Sequence, residues 1–179
     1  NSPAILRHKA ALPGLARSRA ALQDALEDLR ACKTAEEIEF MKRASEVSGR
    51  GHAEVMRLVR PGQYEYQIQA IFEAECLHAG LKHLAYPSIV AAGANAAVLH
   101  YHHNNAQLKN GDLLLIDAGA EFKGYAADIT RTFPINGRFT RRQKDIYSIV
   151  LEAQKSCIRE SVPGVVSADL HVRSMTIIA

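Results

Sequence analysis

The chain contains few of the features that mark several protein classes. Its 179 residues include three cysteines, no tryptophan and only 6% aromatic residues. Cys32, Cys76 and Cys157 form neither a CxxC pair nor an even set. We therefore expect buried thiols in a reducing compartment, the cytoplasm, rather than a disulfide framework. No stretch reaches the roughly 18 consecutive apolar residues of a membrane span, and no signal peptide opens the chain.

The composition indicates a folded domain that does not bind nucleic acid. Hydrophobic residues make up 47% of the chain and charged residues 23%, a balance that excludes intrinsic disorder. The net charge is +3, and the basic residues are scattered rather than gathered in one stripe, as a nucleic-acid site would require. The chain lacks an initiator methionine and ends on apolar residues, so we expect both ends to have been cut from something longer.

Helical patterns occupy the two ends of the sequence, and strand patterns occupy its middle. Thr34 with Glu37, and Thr140 with Gln143, have the spacing of capping boxes that begin helices. Predicted helices cover 17–31, 35–60, 64–79, about 141–161 and a last segment capped by Ser167, and short runs predict strands at 89–92, 98–101, 113–116 and 125–133. This order predicts an α+β fold in which helices flank an antiparallel sheet.

Two aspartates interrupt the strand patterns. Asp117 ends one apolar run and Asp128 lies inside the next, although aspartate is disfavoured within strands. If the hairpin turn is centred between Phe122 and Lys123, the two aspartates face each other. If it is centred on Lys123-Gly124, Asp117 pairs with Thr130 and the aspartates become diagonal neighbours. Both registers keep the two carboxylates within reach of one small site.

Two carboxylates this close in an apolar sheet need a proton or a cation between them. Oxygen ligands suit Mn²⁺, and with histidine added also Co²⁺ or Zn²⁺. Two such metals can lower the pKa of a water molecule and polarise a carbonyl group. The structural alternatives are that Asp117 is a turn residue and that Asp128 pairs with Arg131 or Arg138. The spacing favours the metal site.

The sequence resembles the metallopeptidases of the pita-bread fold, in the branch that contains Xaa-Pro dipeptidase (prolidase) and aminopeptidase P. The residues that carry this resemblance are Val98-Leu99-His100-Tyr101, Asn110-Gly111-Asp112, Leu115-Ile116-Asp117-Ala118-Gly119, Gly124 to Pro134, and Asn136 to Thr140. Weaker similarity extends from about residue 33 to 164. The resemblance implies that 1–31 are the tail of an N-terminal domain with its connecting helix. Residues 32–179 would then form the N-terminal half of the catalytic domain.

The resemblance also implies roles for individual residues. Asp117 corresponds to the first metal-binding aspartate and Asp128 to the bridging one. His100 corresponds to a catalytic histidine that contacts the substrate or stabilises the tetrahedral intermediate. Tyr86 and Thr130 correspond more loosely to positions near the metals, and Tyr86 is equally suited to packing.

The family completes its site with residues that we do not find in this sequence. These are a histidine in a glycine-rich strand and two glutamates on later strands, all of which would lie beyond Ala179. His171 does not fit because it lies on a predicted helix, and His102 and His103 are expected to be solvated loop residues. We therefore expect the chain to be inactive alone, as a fragment of a longer enzyme or as one that another chain completes.

The resemblance predicts an exopeptidase that hydrolyses Xaa-Pro bonds of proline-containing peptides with two divalent metal ions, Mn²⁺ first among them, and that forms a homodimer. Ala53-Glu54-Val55-Met56 slightly favours a dipeptidase over an aminopeptidase. The alternative is a non-catalytic pita-bread binding module without the full ligand set. A nucleic-acid-associated relative is disfavoured by the lack of a basic tract. The creatine-hydrolysing relative uses no metals, so the aspartate pair argues against it.

Overall fold

Helices and two small antiparallel sheets build the described part of the chain, which confirms the predicted α+β class. The computed structural model describes residues 19–179, and side chains from residue 22 onward. Its helices are α1 (Arg19–Ala31), α2 (Ala35–Leu58), α3 (Glu65–His78), α4 (Arg141–Glu160) and α5 (Ser167–Ile178). Its strands are β1 (His83–Leu84), β2 (Ile89–Ala92), β3 (Leu113–Asp117), β4 (Ala120–Phe122), β5 (Tyr125–Ala126) and β6 (Thr130–Pro134). Of the predicted N-terminal segment 1–31, residues 1–18 lie outside the described residues.

Both predicted capping boxes are present and fix where α2 and α4 begin. The Thr34 hydroxyl accepts a hydrogen bond from the Glu37 amide at 3.3 Å, and the Glu37 carboxylate accepts from the Thr34 amide at 2.6 Å. Thr140 and Gln143 repeat this pair of bonds before α4. Each box satisfies two backbone N–H groups that a helix start leaves unpaired. Ser167 is the first residue of α5 rather than its predicted cap.

The hydrophobic core lies between α2, α3 and the sheets. Alternate residues of β3 face this core, so Leu114 and Ile116 are fully buried while Asp117 points to the opposite side of the sheet. They pack with apolar residues of both helices, namely Val47, Val55, Ile68, Phe72 and Cys76. Among the described residues, no helix is long and apolar enough to cross a membrane.

Helix α4 and two cysteines are more exposed than we predicted. The helical spacing of Ile146, Ile149 and Val150 on α4 predicts an apolar face that points inward, yet all three are about half exposed. In the described part of the chain α4 packs mainly against α5, so this face has little to cover it. Of the three cysteines expected to be buried, Cys76 is buried, Cys157 is partly buried and Cys32 is exposed.

Residues 98–101 do not form the predicted strand. The segment follows a short 3-10 helix (Gly93–Ala97), and His100 adopts a left-handed backbone conformation with φ 53°. Tyr101 alone among the four is buried, while Leu99 is 86% exposed. The apolar run therefore belongs to an irregular loop that leads from β2 to β3.

The hairpin that carries the two aspartates adopts the second of the two predicted registers. Its turn is Lys123-Gly124, and both residues have positive φ (51° and 84°), as a two-residue type I′ turn requires. This turn pairs Phe122 with Tyr125 in one sheet and, farther along the same hairpin, Asp117 with Thr130 in the other.

The hairpin bends where it passes from sheet β1-β4-β5 to sheet β2-β3-β6. Regular strand geometry is interrupted at 127–129, so the predicted continuous strand 125–133 is two strands separated by a break. The pairing register continues across it, because the Ala127 N–H donates to the Ala120 carbonyl and the Ala118 N–H to the Ile129 carbonyl. Gly119 lies opposite this break, where an added Cβ would be 1.8 Å from the Ala127 carbonyl oxygen. Only glycine allows this close approach of the two backbones. As a result Asp128 projects from the break rather than from a strand.

Candidate metal centre

Asp117 and Asp128 converge on one hydroxyl group. The Tyr86 hydroxyl donates a hydrogen bond to Asp117 Oδ1 at 2.5 Å and lies 3.1 Å from Asp128 Oδ1. Because both distances are measured from the Tyr86 hydroxyl oxygen, the two carboxylate oxygens are no farther apart than the sum of the two distances. The diagonal register and the break at 127–129 thus bring the two acidic side chains to one side of the sheet.

These residues form the wall of an open cavity of about 390 Å³. Asp117 is half buried and Asp128 is exposed, so the cavity opens to solvent. The other residues that line it are Tyr86, Pro87, Ile89, His100 and His102. The structure therefore brings the predicted catalytic His100 to the same cavity as the predicted metal ligands. His102, which we expected to be a solvated loop residue, is exposed and also lines the cavity.

The Tyr86 side chain is held in its protonated form. Burial, followed by the hydrogen bond to Asp117 and the nearby carboxylate charges, raises the pKa of Tyr86 well above its usual value. A hydroxyl carries one proton, and the 2.5 Å bond directs it to Asp117. Tyr86 therefore orients one carboxylate and only partly offsets the repulsion between the two.

The donor set fits part of a divalent metal site. Carboxylate oxygens suit hard divalent ions such as Mn²⁺, and two converging carboxylates can reach the same small volume. Between residues 19 and 179 the structure contains no group of three or more His, Cys, Asp and Glu side chains that could hold a metal ion. Asp117 and Asp128 would thus be two ligands of a larger set.

Thr130 and His171 do not line this cavity. Thr130 is paired with Asp117 in the β3–β6 ladder, which places the two side chains on the same face of the sheet, and it lines a second cavity of about 910 Å³ between the sheet and α4. The ladder pairing supports the looser prediction that Thr130 lies near the metals, which stays a prediction. His171 is exposed on α5, and the prediction that it lies on a helix is confirmed.

A buried histidine that we did not predict holds the backbone beside Asp117. His52 on α2 is 2% exposed, and its Nε2 lies 3.0 Å from the Ala118 carbonyl oxygen. Its Nδ1 is buried without a partner, and burial lowers the pKa of His52. The neutral ring with its proton on Nε2 explains both observations, because that tautomer donates to the carbonyl. A lone histidine among apolar residues gave no signal of this contact.

Comparison with known proteins places these features in a family. Residues 39–179 match the model of metallopeptidase family M24. The chain is 44% identical over 137 residues to the Xaa-Pro aminopeptidase of Escherichia coli, a match that covers 76% of this chain and 31% of that protein. It is 47% identical over 143 residues to the Xaa-Pro aminopeptidase of Haemophilus influenzae, covering 78% of the chain and 32% of that protein.

Solved structures give the same result. An E. coli aminopeptidase P variant in complex with substrate superimposes with a TM-score of 0.81 at 41% identity, over 82% of this chain and 33% of that one. A zinc-substituted E. coli aminopeptidase P in complex with product gives 0.80 at 41% identity, over 81% and 33%. The chain thus spans about a third of the length of the relatives that it matches. With its pita-bread α+β architecture and its match over residues 39–179, the chain belongs to metallopeptidase family M24.

Proposed function

We propose that the protein is a metal-dependent exopeptidase that hydrolyses Xaa-Pro peptide bonds. In this proposal Asp117 and Asp128 are metal ligands and His100 is a catalytic residue. The observation that supports it is the convergence of both carboxylates on the Tyr86 hydroxyl, in the wall of a cavity that His100 also lines.

Each residue has a defined task in this function. A pair of divalent cations, when bound, activates water and polarises the carbonyl group before proline. Asp117 and Asp128 would hold the cations, and this binding would offset the repulsion between the two carboxylates. Tyr86 orients Asp117 through its hydrogen bond. The His100 imidazole donates a hydrogen bond to the negative charge that develops on the carbonyl oxygen.

The two carboxylates are too few for tight divalent binding, so the proposal includes further ligands from outside the described residues 19–179. Either a continuation of the chain or a second chain supplies them. The names of the relatives support the aminopeptidase alternative, whereas Ala53-Glu54-Val55-Met56 was the ground for preferring a dipeptidase. Assays with Xaa-Pro dipeptides and longer Xaa-Pro peptides separate the two activities. Mn²⁺ as the metal, the homodimer and the cytoplasmic location stay predictions.

The substitution Asp128→Asn in the complete enzyme tests this function. It removes one charge and one anionic ligand at nearly constant size, so we expect Mn²⁺-dependent cleavage of an Xaa-Pro peptide to be lost. Asp145→Asn is the matched control, because Asp145 is exposed on α4 and the same change there leaves the cavity untouched. Catalytic efficiency is measured as kcat/KM, and thermal unfolding tests whether both variants are folded.

Parental turnover by the Asp128→Asn enzyme would refute the assignment. A complete protein that neither binds Mn²⁺ nor cleaves Xaa-Pro peptides would instead support the non-catalytic binding module.

A further inference from the structure

Glu65 is a buried carboxylate whose four hydrogen-bond donors all lie on the segment from β2 to the end of the following loop. It is fully buried at the first position of α3. Its Oε1 accepts from the Ala92 amide at 2.8 Å and from Asn95 Nδ2 at 3.0 Å. Its Oε2 accepts from the Tyr101 hydroxyl at 2.8 Å and from the Ala106 amide at 2.9 Å. Four donors and the adjacent helix N-terminus make burial of this charge tolerable.

The loop that Glu65 anchors is the one that carries His100 and His102. Residues 98–106 have no ladder with a neighbouring strand, so side-chain bonds largely determine where this backbone lies. His100 and Asn104 both have positive φ (53° and 46°), a conformation that non-glycine residues keep only when their surroundings impose it. Tyr101, held by Glu65, directly follows His100.

Asn104 fixes the position of the rest of the loop through hydrogen bonds. Its Oδ1 accepts from the Val90 amide at 3.0 Å, and its Nδ2 donates to the Ser88 carbonyl at 2.7 Å and to Gln69 Oε1 at 2.9 Å. Asn104 therefore anchors the loop after His100, whereas Glu65 anchors it on both sides, through Asn95 before His100 and through Tyr101 and Ala106 after it. Asn95 Nδ2 also donates to the Tyr101 hydroxyl at 3.0 Å, so Glu65, Asn95 and Tyr101 form one network that spans His100.

We propose that Glu65 is a positioning residue that holds the His100 imidazole in the wall of the cavity formed with Asp117 and Asp128. This role rests on the proposed function, in which His100 acts on the substrate. Glu65 acts through its contacts with Tyr101 and Asn95, and it touches neither metal nor substrate itself.

The substitution Glu65→Gln is the sharpest perturbation, because it changes hydrogen bonding at almost constant shape. The amide NH₂ that replaces one carboxylate oxygen is a donor, so in either orientation it faces a backbone N–H group that cannot accept. One orientation opposes the Ala92 N–H and the other opposes the Ala106 N–H. The loop must shift to relieve this, and His100 shifts with it.

A double-mutant cycle in the complete enzyme tests the role with an Xaa-Pro peptide. The four proteins are the parent, Glu65→Gln, His100→Ala and the double variant. We expect Glu65→Gln to lower kcat on the order of 10- to 100-fold, because a displacement near 1 Å costs up to about a hundredfold. In the His100→Ala background the same change should cost less than about twofold, the scatter expected of independent sites. Equal losses in both backgrounds would show a merely structural role and overturn the proposal.

Two readouts besides turnover accompany the cycle. Titration calorimetry with Mn²⁺ should give the same affinity for Glu65→Gln as for the parent within about twofold, since Asp117 and Asp128 are unchanged. The NMR signals of the His100 ring should move in Glu65→Gln and stay in place in Glu75→Gln. Glu75 is the matched control, because it lies on α3 and its carboxylate pairs with Arg50 on α2. An unmoved His100 ring in Glu65→Gln would also overturn the proposal.

A second variant, Tyr101→Phe, is used if Glu65→Gln does not fold. It keeps the Glu65 carboxylate and removes only the hydroxyl of Tyr101, the residue that follows His100. It therefore replaces Glu65→Gln in the same cycle, with a smaller expected loss in kcat. If His100→Ala turns over at the parental rate, the positioning role fails with the role of His100. The Asp128→Asn result then decides separately whether the metal-dependent function holds.

Discussion

The substitution Gly119→Ala tests the bend in the hairpin that places Asp128. The added Cβ would lie 1.8 Å from the Ala127 carbonyl oxygen and 3.3 Å from the Asp128 amide nitrogen. Carbon and oxygen need about 3.3 Å for an unstrained contact, so the Ala127 carbonyl must retreat by roughly 1.5 Å. Both atoms belong to backbone, and rotation of a side chain cannot relieve the clash. The segment that carries Asp128 therefore moves away from Asp117.

The substitution Gly119→Ala should lower both the stability of the protein and its affinity for Mn²⁺. Overpacking of this kind destabilises a protein by about 1–3 kcal/mol and occasionally more, and the strained backbone places Gly119→Ala at the upper end. About 3 kcal/mol lowers the Tm by roughly 6–12 °C for a cooperative unit of about 150–250 residues, and by less when a larger unit unfolds together. Because the two carboxylates separate, Mn²⁺ affinity should also fall about tenfold or more.

Thermal unfolding and Mn²⁺ titration calorimetry of the complete protein measure both effects. Gly49→Ala is the control, because Gly49 lies on α2 with nothing within 4 Å of an added Cβ. That change should raise stability by about 0.5–1 kcal/mol, the usual gain of alanine over glycine within a helix. A Gly119→Ala protein with parental Tm and parental Mn²⁺ affinity would refute the close approach of the two strands.

Two other substitutions probe the surroundings of the aspartates. Tyr86→Phe removes the hydroxyl that orients Asp117, so Mn²⁺ affinity measured by calorimetry should fall about tenfold with the fold retained; unchanged affinity would contradict the orienting role. The second residue, His52, makes the stability depend on pH. Because its pKa is lowered in the native chain, the unfolded chain binds a proton that the native chain does not bind as the pH falls through about 6.5. The free energy of unfolding, from urea titrations of the metal-free protein, should thus decrease from pH 7 toward lower pH until the folded-state pKa is passed. His52→Gln should lose this part of the pH dependence, and an unchanged slope would show that His52 is not its source.

Local sequence patterns predicted the elements whose stability is itself local. Thr34 with Glu37 and Thr140 with Gln143 lie three residues apart, and both capping boxes form because all the interacting groups belong to one helical turn. The spacing of Asp117 and Asp128 about a short turn limited them to two registers, both of which bring the carboxylates together. Long-range contacts were needed to choose between these registers.

Predictions were wrong where the environment of a residue depends on distant parts of the chain. Residues 98–101 have a strand-like pattern, but the loop follows the buried Glu65 carboxylate, which lies 36 residues before Tyr101. The apolar face of α4 suggested burial, yet in the described part of the chain α5 covers little of it.

The amino-acid order by itself determined where α2 and α4 begin and that two acidic residues meet about a short turn, because each depends on neighbours a few positions away. Only the tertiary structure decided that this turn is Lys123-Gly124, that Asp128 lies in the break between β5 and β6, that Tyr86 lies between the carboxylates and that His100 shares their cavity. Those outcomes depend on the contact of Gly119 with Ala127 and on the bonds of Glu65. Hydrogen bonds and steric clashes between segments far apart in the chain leave no periodic pattern in the sequence, so the sequence alone does not predict them.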